Sequence, residues 1–324
     1  MKDQKVLLLF GMPRSGTTWV GKIIDSNPDT LYLHEPDSWN RLDRIPLFVE
    51  SMDVEYGDEL KHFVESLPLM RKAQVTSKLP IFKKNYQSSL RHSAYKGSLY
   101  ATKLAGKIGF TANPISRISR NKNQFYIAWK SIESLGRLSL FSQLIEGSQC
   151  LHIVRNPAGY ISSVLSGESK NSFQSSTPSS DDFQIFEMLL NTACGKDIGI
   201  GLDELKMLDP VERLAIRWRL YNEIAFAGCK DLHNYHRLIY EDLCRNPLDI
   251  AKRVINELGL QWSTQTEAFV KLSTSQDKKA YYSVYKNPLE AAYKWQTKLS
   301  ATDIDKIKNI LRGSVAFSWY EADF

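Results

Sequence analysis

The chain has 324 residues, of which 43% are apolar and 24% are charged, so it can bury a substantial core in one large domain. Its formal net charge of +6 is small for this length and argues against a dedicated nucleic-acid-binding protein. The four cysteines form no C-x-x-C pair, which argues against a zinc site or a redox motif and favours reduced thiols.

Short apolar runs alternate with helical patterns along the chain. Strands are predicted at residues 6–10, 30–33, 124–129, 151–154 and 237–240. Helices are predicted at residues 19–25 and 135–145, after Pro157, and at 211–230 and 247–258. The serine-rich stretch 162–182 is predicted to be a surface loop or lid. This alternation predicts a single α/β domain over residues 1–324, with a four- to five-stranded parallel sheet flanked by helices.

Residues 11–18 read Gly-Met-Pro-Arg-Ser-Gly-Thr-Thr and lie between the first predicted strand and the first predicted helix. The two glycines allow a tight turn, so that backbone N–H groups and the positive end of the helix converge on an anion. An ordinary turn is the alternative, but Arg14 among three hydroxyl residues favours anion binding. Thr17 stands where a nucleotide triphosphatase has lysine, which disfavours a kinase or GTPase.

A second candidate anion site follows the strand at residues 151–154. That strand ends in Arg155, so it supplies no aspartate for magnesium. Ser163 follows eight residues later, two turns into the next predicted helix. The arginine and the serine are expected to bind one phosphate together.

These two segments resemble the signatures of the sulfotransferases that use 3′-phosphoadenosine-5′-phosphosulfate (PAPS): P-[KR]-S-G-T-T-W, and R-[DN]-P with a serine eight residues later. The resemblance implies a fold like that of P-loop-containing nucleotide hydrolases. It also implies sulfuryl transfer from PAPS to a hydroxyl or amine acceptor without a metal. In this scheme the 5′-phosphosulfate is held by Arg14, Ser15, Gly16, Thr17, Thr18 and Trp19, and the 3′-phosphate by Arg155 and Ser163. Weaker similarities lie at residues 240–243 and at 294–295 with 299–300.

Sulfuryl transfer needs a general base and positive charge beside the transferring group. The K-[TS]-H motif of cytosolic sulfotransferases is absent, since residues 129–132 read Trp-Lys-Ser-Ile. Residues 14–36 instead resemble carbohydrate and tyrosyl-protein sulfotransferases, which implies Glu35 as the base. A structural carboxylate paired with Arg14 or with a helix end is the alternative role for Glu35, and His34 is the rival base. By the same resemblance Lys130 contacts the sulfate and the bridging oxygen, the alternative being an exposed lysine at a strand end.

The acceptor is not predicted by any motif, because residues 37–97 and 166–210 match no family signature. Carbohydrate is the first expectation, with lipid, small alcohols and peptides as alternatives, and the aromatic residues Trp39, Tyr126 and Trp129 are candidate contacts. Trp218 has amphipathic helical neighbours and is assigned to the core. Two other functions stay open at this point: a P-loop kinase and a nucleotide-binding module without turnover.

The location is predicted from the absence of targeting and membrane signals. The first apolar run is too short for a signal peptide, and no run of about 18 apolar residues occurs. The carbohydrate sulfotransferases of animals are typically anchored in the Golgi membrane, and no such anchor is expected in this chain. A soluble, cytoplasmic, bacterial enzyme is expected.

Overall fold

The computed structural model describes residues 5–49, 54–107, 109–110, 112–118, 125–170, 177–275 and 287–324. Five parallel strands form one sheet in the order β2-β3-β1-β4-β5. The strands are β1 (Val6–Gly11), β2 (Thr30–His34), β3 (Tyr126–Ser131), β4 (Gln149–Val154) and β5 (Tyr235–Ile239). This arrangement confirms the predicted α/β class and its four- to five-stranded parallel sheet.

Helices connect and flank the strands. The α-helices are α1 (Thr17–Ser26), α2 (Gly57–Ser66), α3 (Ala73–Thr76), α4 (Ser89–Lys107), α5 (Leu138–Leu144), α6 (Pro157–Glu168), α7 (Phe183–Leu190), α8 (Ala193–Asp197), α9 (Leu202–Met207), α10 (Pro210–Cys229), α11 (Tyr240–Arg245), α12 (Pro247–Glu257), α13 (Thr264–Ser275), α14 (Pro288–Tyr293) and α15 (Ala301–Leu311). Short 3-10 helices span Pro36–Ser38, Val54–Tyr56, Leu67–Leu69, Leu135–Arg137, Ser179–Asp181, Lys294–Thr297, Phe317–Trp319 and Glu321–Asp323.

The central strand β1 is buried on both faces, which explains its continuous apolar sequence. Leu8 and Phe10 join one core cluster with residues of α5, α6 and α10. Leu7 and Leu9 join the other cluster with residues of α1, α12 and α13. Full burial of each such side chain contributes about 1.5–3 kcal/mol to stability. Helices therefore cover both faces of the sheet, and its strand ends are left to form a site.

The strand order places that site. β3 and β2 follow on one side of β1, and β4 and β5 follow on the other. In parallel sheets the carboxyl ends of all strands meet at one edge, and ligands bind where the order reverses direction. Here the order reverses at β1, whose C-terminal end leads into residues 11–18.

Two predicted boundaries were wrong. The stretch 162–182 does not begin as a loop, because α6 continues to Glu168 with Val164 buried and Leu165 packed on the core. Tyr240 belongs to α11 and not to the last strand, since β5 ends at Ile239, which becomes the N-cap of that helix. Gln124, at the start of the third predicted strand, and residues 171–176 lie outside the described residues.

No helix within the described part of the chain is long and apolar enough to cross a bilayer.

Candidate active site

The loop after β1 is shaped by close contacts that only glycine permits. A Cβ on Gly11 would lie 2.4 Å from the backbone oxygen of Ile153. Gly16 has φ of 79°, and a Cβ there would lie 2.3 Å from the ring of Tyr240. Any larger residue at either position would clash with these neighbours, so the loop requires glycine at both. The loop passes between β4 and the start of α11.

The N-terminus of α1 is open to an anion. Gly16 is its N-cap and supplies no side-chain hydrogen bond, and the first turn contains no acidic residue. Ser15 and Thr17 are buried beside it, and Thr18 is partly exposed. Backbone N–H groups at a helix start mostly lack intrahelical partners, although that of Trp19 donates here to the Gly16 oxygen at 3.0 Å. The helix dipole adds positive potential there. This end of α1 therefore suits a phosphate or sulfate group.

The two sequence motifs meet in space although 141 residues separate them. Arg155, just past β4, donates from Nη1 to the backbone oxygen of Arg14 at 2.8 Å and from Nη2 to that of Ala291 at 2.7 Å. The Nε of Arg14 donates to Oγ of Ser163 at 3.0 Å. The structure therefore brings Arg14, Arg155 and Ser163 together.

One buried donor in this group has no partner among the described residues: Nε of Arg155. Gly159 leaves the space beside it, since a Cβ there would lie 3.1 Å from that nitrogen. The guanidinium also lies 5.3 Å from the ring centre of Tyr240. An unpaired buried donor costs about 1–3 kcal/mol, so an incoming acceptor such as a phosphate oxygen would be favoured here.

Glu35 and Lys130 form an ion pair at the ends of neighbouring strands. The β2–β3 register places His34 opposite Lys130, and the backbone N–H of Glu35 donates to the Lys130 oxygen at 2.8 Å. Nζ of Lys130 then contacts Oε1 of Glu35. The side chain of Lys130 is 1% exposed and that of Glu35 is 22% exposed. The carboxylate is therefore the member of the pair that solvent or an acceptor can reach.

Arg14 and Glu35 share an unusual backbone conformation. They are the two non-glycine residues with positive φ in the described part of the chain, at 70° and 51°. Such a conformation costs about 1–3 kcal/mol for each residue and persists where the surrounding structure holds it. Both residues were predicted from sequence as site residues, and their strain coincides with the end of β1 and the end of β2.

His34 supports the turn between β2 and the 3-10 helix Pro36–Ser38, which we call the Glu35 turn. Nδ1 of His34 is 2.8 Å from the Tyr32 hydroxyl, and Nε2 is 3.6 Å from Oε1 of Glu35. Burial, reinforced by the charge of Lys130, lowers the pKa of His34 far below its usual value.

Asp37 is buried in the 3-10 helix that follows Glu35. Its carboxylate accepts from Trp129 Nε1 at 3.1 Å, from Ser134 Oγ at 2.6 Å and from Ser131 Oγ. Burial raises its pKa, and these three hydrogen bonds oppose the rise. Asp37 therefore fastens the Glu35 turn to the end of β3. Its sequence context carried no signal for this role, because these partners lie more than 90 residues away.

The weaker sequence similarities also lie at this edge. Tyr240 packs on Gly16 and Arg155, as described above. The buried carboxylate of Glu241 accepts the backbone N–H of Asn156 at 3.1 Å. Burial raises the pKa of Glu241 to about 7, against the effect of the Arg155 charge. Trp295 lies beside Gly159, and its buried Nε1 has no partner among the described residues. These residues extend the Arg155 side of the site.

Other aromatic candidates have structural contacts. Trp19 is buried and donates to Ser273 Oγ at 3.0 Å, so its N–H is already used. Trp218 is fully buried and donates to the backbone oxygen of Arg155, in agreement with its assignment to the core. Trp129 donates to Asp37 but is fully buried, and Tyr126 begins β3 at the opposite edge, so neither can make the acceptor contact that was expected. Of the predicted acceptor aromatics, Trp39 is the exposed one at the strand ends, with 45% of its surface accessible.

The family comparison decides the assignment. Residues 7–192 match the model of the sulfotransferase family, which is more than half of the chain and includes both motifs. The chain belongs to the sulfotransferase family. This confirms the predicted recognition and enzyme class, with PAPS as the sulfuryl donor. A metal is not part of the predicted scheme, and the described residues contain no group of His, Cys, Asp or Glu side chains able to hold one.

Several solved structures are similar to this sulfotransferase. The sulfotransferase domain of the Synechococcus PCC 7002 olefin synthase is 15% identical, with 94% of each chain covered and a TM-score of 0.44. Mouse sulfotransferase SULT7A1, complexed with PAP, is 12% identical, with 98% of this chain and 88% of that chain covered and a TM-score of 0.45. Sulfotransferase STF9 from Mycobacterium avium is 13% identical, with 99% and 77% covered and a TM-score of 0.42. No curated protein matches the sequence.

Proposed function

We propose that this sulfotransferase moves the sulfuryl group of PAPS to a hydroxyl or amine acceptor, with Glu35 as the general base. The observation that carries the proposal is the Glu35–Lys130 pair at the ends of β2 and β3, next to the loop that follows β1. The products are the sulfated acceptor and adenosine 3′,5′-bisphosphate. A carbohydrate or small molecule is the first acceptor to test, with lipid as an alternative.

The donor is proposed to lie across the two motifs. PAPS supplies an electrophilic sulfur whose bond to the bridging phosphate oxygen breaks as the acceptor attacks. The 5′-phosphosulfate would be held by Arg14, Ser15, Gly16, Thr17 and Thr18, with Trp19 packed behind the loop. Arg155 and Ser163 would bind the 3′-phosphate. The uncapped start of α1 and the unpaired Nε of Arg155 support this placement.

The protein's own groups would remove one proton from the acceptor and stabilise the negative charge that develops during the transfer. Glu35 removes the proton from the acceptor as its oxygen or nitrogen attacks sulfur. Lys130 neutralises the charge that develops on the bridging oxygen, and Arg14 adds positive charge beside the loop. Lys130 is nearly fully buried, so water screens its charge little.

His34 is the weaker candidate for the base. Its lowered pKa means that it gains a proton with difficulty, and its Nδ1 already faces the Tyr32 hydroxyl. A base is effective when its pKa lies near the working pH. Glu35 also shields the Nε2 side of the ring. We therefore assign the proton transfer to Glu35 and a supporting contact to His34.

A Glu35→Gln variant tests this assignment. We expect turnover with PAPS to fall by roughly 100-fold or more, because a positioned base contributes about 10²–10⁴ in rate. Affinity for adenosine 3′,5′-bisphosphate should be retained. The matched control is Glu146→Gln, because Glu146 is exposed and precedes β4, away from the carboxyl ends of the strands. Full turnover in Glu35→Gln would transfer the role to His34, and equal loss in both variants would rule out a specific role.

The cytoplasmic location and the roles of residues 37–97 and 166–210 in acceptor binding stay predictions. Assays of the purified protein with PAPS and a panel of sugars, small alcohols and lipids would identify the acceptor.

A further inference from the structure

Positive charge is concentrated in one part of the chain. Residues 66–132, which we call the basic segment, contain 13 lysines and arginines and no aspartate or glutamate. The whole chain has a formal net charge of +6, so the rest of the protein is net negative. The basic segment includes α3, α4 and β3 and ends next to the proposed catalytic pair. Lys84 and Lys130 are buried and paired with Asp25 and Glu35, so the surface charge of the basic segment comes from its exposed residues, among them the lysines of α4.

The solvent-facing side of α4 is apolar. Positions 90, 94, 97, 101 and 104 repeat at intervals of three and four and hold Leu, Ala, Gly, Ala and Leu. All five are exposed, Leu90 by 82% and Leu104 by 65%. Tyr100, Phe110 and Ile115 extend this apolar stripe with exposures of 63%, 69% and 45%. The opposite side of the helix, with Tyr95, Leu99 and Thr102, packs on the protein.

Lysines line one flank of the apolar stripe. Lys96, Lys103 and Lys107 are exposed and lie on the same side of α4. Within the part of the chain that the structure describes, none of the three forms an ion pair with a carboxylate. The adjoining residues 109–118 are also without acidic side chains. The flank therefore offers positive charge that no acidic side chain of the described residues neutralises.

We propose that the apolar stripe and its lysine flank dock on the surface of an anionic lipid bilayer. A helix that lies in a membrane interface buries an apolar face among the acyl chains and places lysines at the headgroups. A soluble polyanion would engage the lysines but leave Leu90, Leu104 and Phe110 in water. A second copy of the chain would bring lysines against lysines. An anionic bilayer satisfies both features of the surface at once.

Lys78 links the docking surface electrostatically to the proposed catalytic pair. Burial lowers the pKa of Lys78, and the charges of Lys130 and of Lys103 lower it further, while Glu35 opposes the shift. Lys78 is thus electrostatically coupled both to the catalytic pair and to the lysine flank. A bilayer docked on α4 would bring lipid-borne hydroxyl groups towards Glu35. This last step rests on the proposed function, whereas the docking itself does not.

The test is sedimentation of the full-length protein with vesicles of phosphatidylcholine, with and without phosphatidylglycerol. We expect binding only to the vesicles that contain phosphatidylglycerol. Lys96→Glu/Lys103→Glu/Lys107→Glu should weaken it by roughly 100-fold or more, since each lysine near an anionic surface contributes about 1 kcal/mol. Leu104→Ser/Phe110→Ser, which keeps every charge, should weaken it by roughly tenfold or more.

The control variant is Lys196→Glu/Lys230→Glu/Lys252→Glu, which makes the same change in net charge at exposed lysines elsewhere. It should bind vesicles within about threefold of the unchanged protein. Equal loss in the control, or no loss in the α4 variants, would overturn the proposal. Intact binding by Leu104→Ser/Phe110→Ser, with displacement by soluble dextran sulfate, would replace the bilayer with a soluble polyanion.

Titration with adenosine 3′,5′-bisphosphate checks that each variant is folded and reports separately on the nucleotide site. If the unchanged protein binds the nucleotide but no vesicle, the docking proposal alone is contradicted. If it binds vesicles but no nucleotide, the proposed donor site alone is contradicted.

Discussion

The Glu35–Lys130 pair explains how a lysine can be buried at the end of an apolar strand. A buried ammonium without a partner costs several kcal/mol, and Glu35 is the partner in the described structure. Neutralising Glu35 leaves that charge uncompensated until an anion arrives. The donor can then take over part of this role, which is why we expect Glu35→Gln to keep its nucleotide affinity while it loses the base. The buried charge of Lys130 is thus stabilised by Glu35 in the free protein and, in part, by the negative charge of the donor once it binds.

Glu241 is a second buried carboxylate, placed beneath the Arg155 turn. Its pKa of about 7 lies above the ordinary value of 4.5, so the folded protein favours the protonated form. Its neighbours are Arg155, which favours the charged form, and Asp323 and Tyr320. The contribution of Glu241 to the free energy of unfolding is therefore fully present below about pH 4.5, and it is lost as the pH rises through about 7.

Glu241→Gln should remove this pH dependence. From about pH 4.5 to pH 8, the unchanged protein should lose roughly 3 kcal/mol of unfolding free energy relative to the variant. Urea unfolding at several pH values measures the difference. Glu146→Gln, which changes an exposed carboxylate, should show no comparable trend. Parallel curves for the unchanged protein and Glu241→Gln would show that Glu241 is ionised in the folded state throughout.

At the scale of elements, the site depends on loops that approach each other too closely for side chains. The loop before α1 touches β4 through Gly11 and the start of α11 through Gly16. Tyr240 lies between Gly16, Trp19 and Arg155 and so joins the two motifs. A shift of α11 would therefore disturb both ends of the proposed donor site together.

Gly16→Ala tests this contact. The added Cβ would meet the Tyr240 ring at 2.3 Å, and φ of 79° disfavours alanine. We expect affinity for adenosine 3′,5′-bisphosphate to fall by roughly tenfold or more, together with a loss of about 1–3 kcal/mol in stability. Gly147→Ala is the matched control, because Gly147 has φ of 70° but nothing within 4 Å. It should lose stability alone, so equal affinities in the two variants would show that Tyr240 simply moves aside.

At the scale of the whole molecule, the strands and both motifs were predictable because each is a local pattern. Residues 6–10 are a continuous apolar run, and residues 11–18 follow it directly. The Glu35–Lys130 contact was not predictable from spacing, since it joins residues 95 apart and depends on β2 pairing with β3. The basic segment was not evident from the net charge of the whole chain, because acidic residues elsewhere offset its positive charge.

The first measurement to make is a calorimetric titration of the purified protein with adenosine 3′,5′-bisphosphate, alongside magnesium-ATP and an Arg155→Ala variant. Arg155 is the proposed ligand of the 3′-phosphate and also donates to the backbone oxygen of Arg14 in the phosphosulfate loop, so it joins both parts of the proposed nucleotide site. We predict tight binding that needs no metal, weakens by roughly 100-fold or more in Arg155→Ala and exceeds that of magnesium-ATP. Equal binding in the variant, or preference for magnesium-ATP, would contradict the assignment of the two motifs to PAPS.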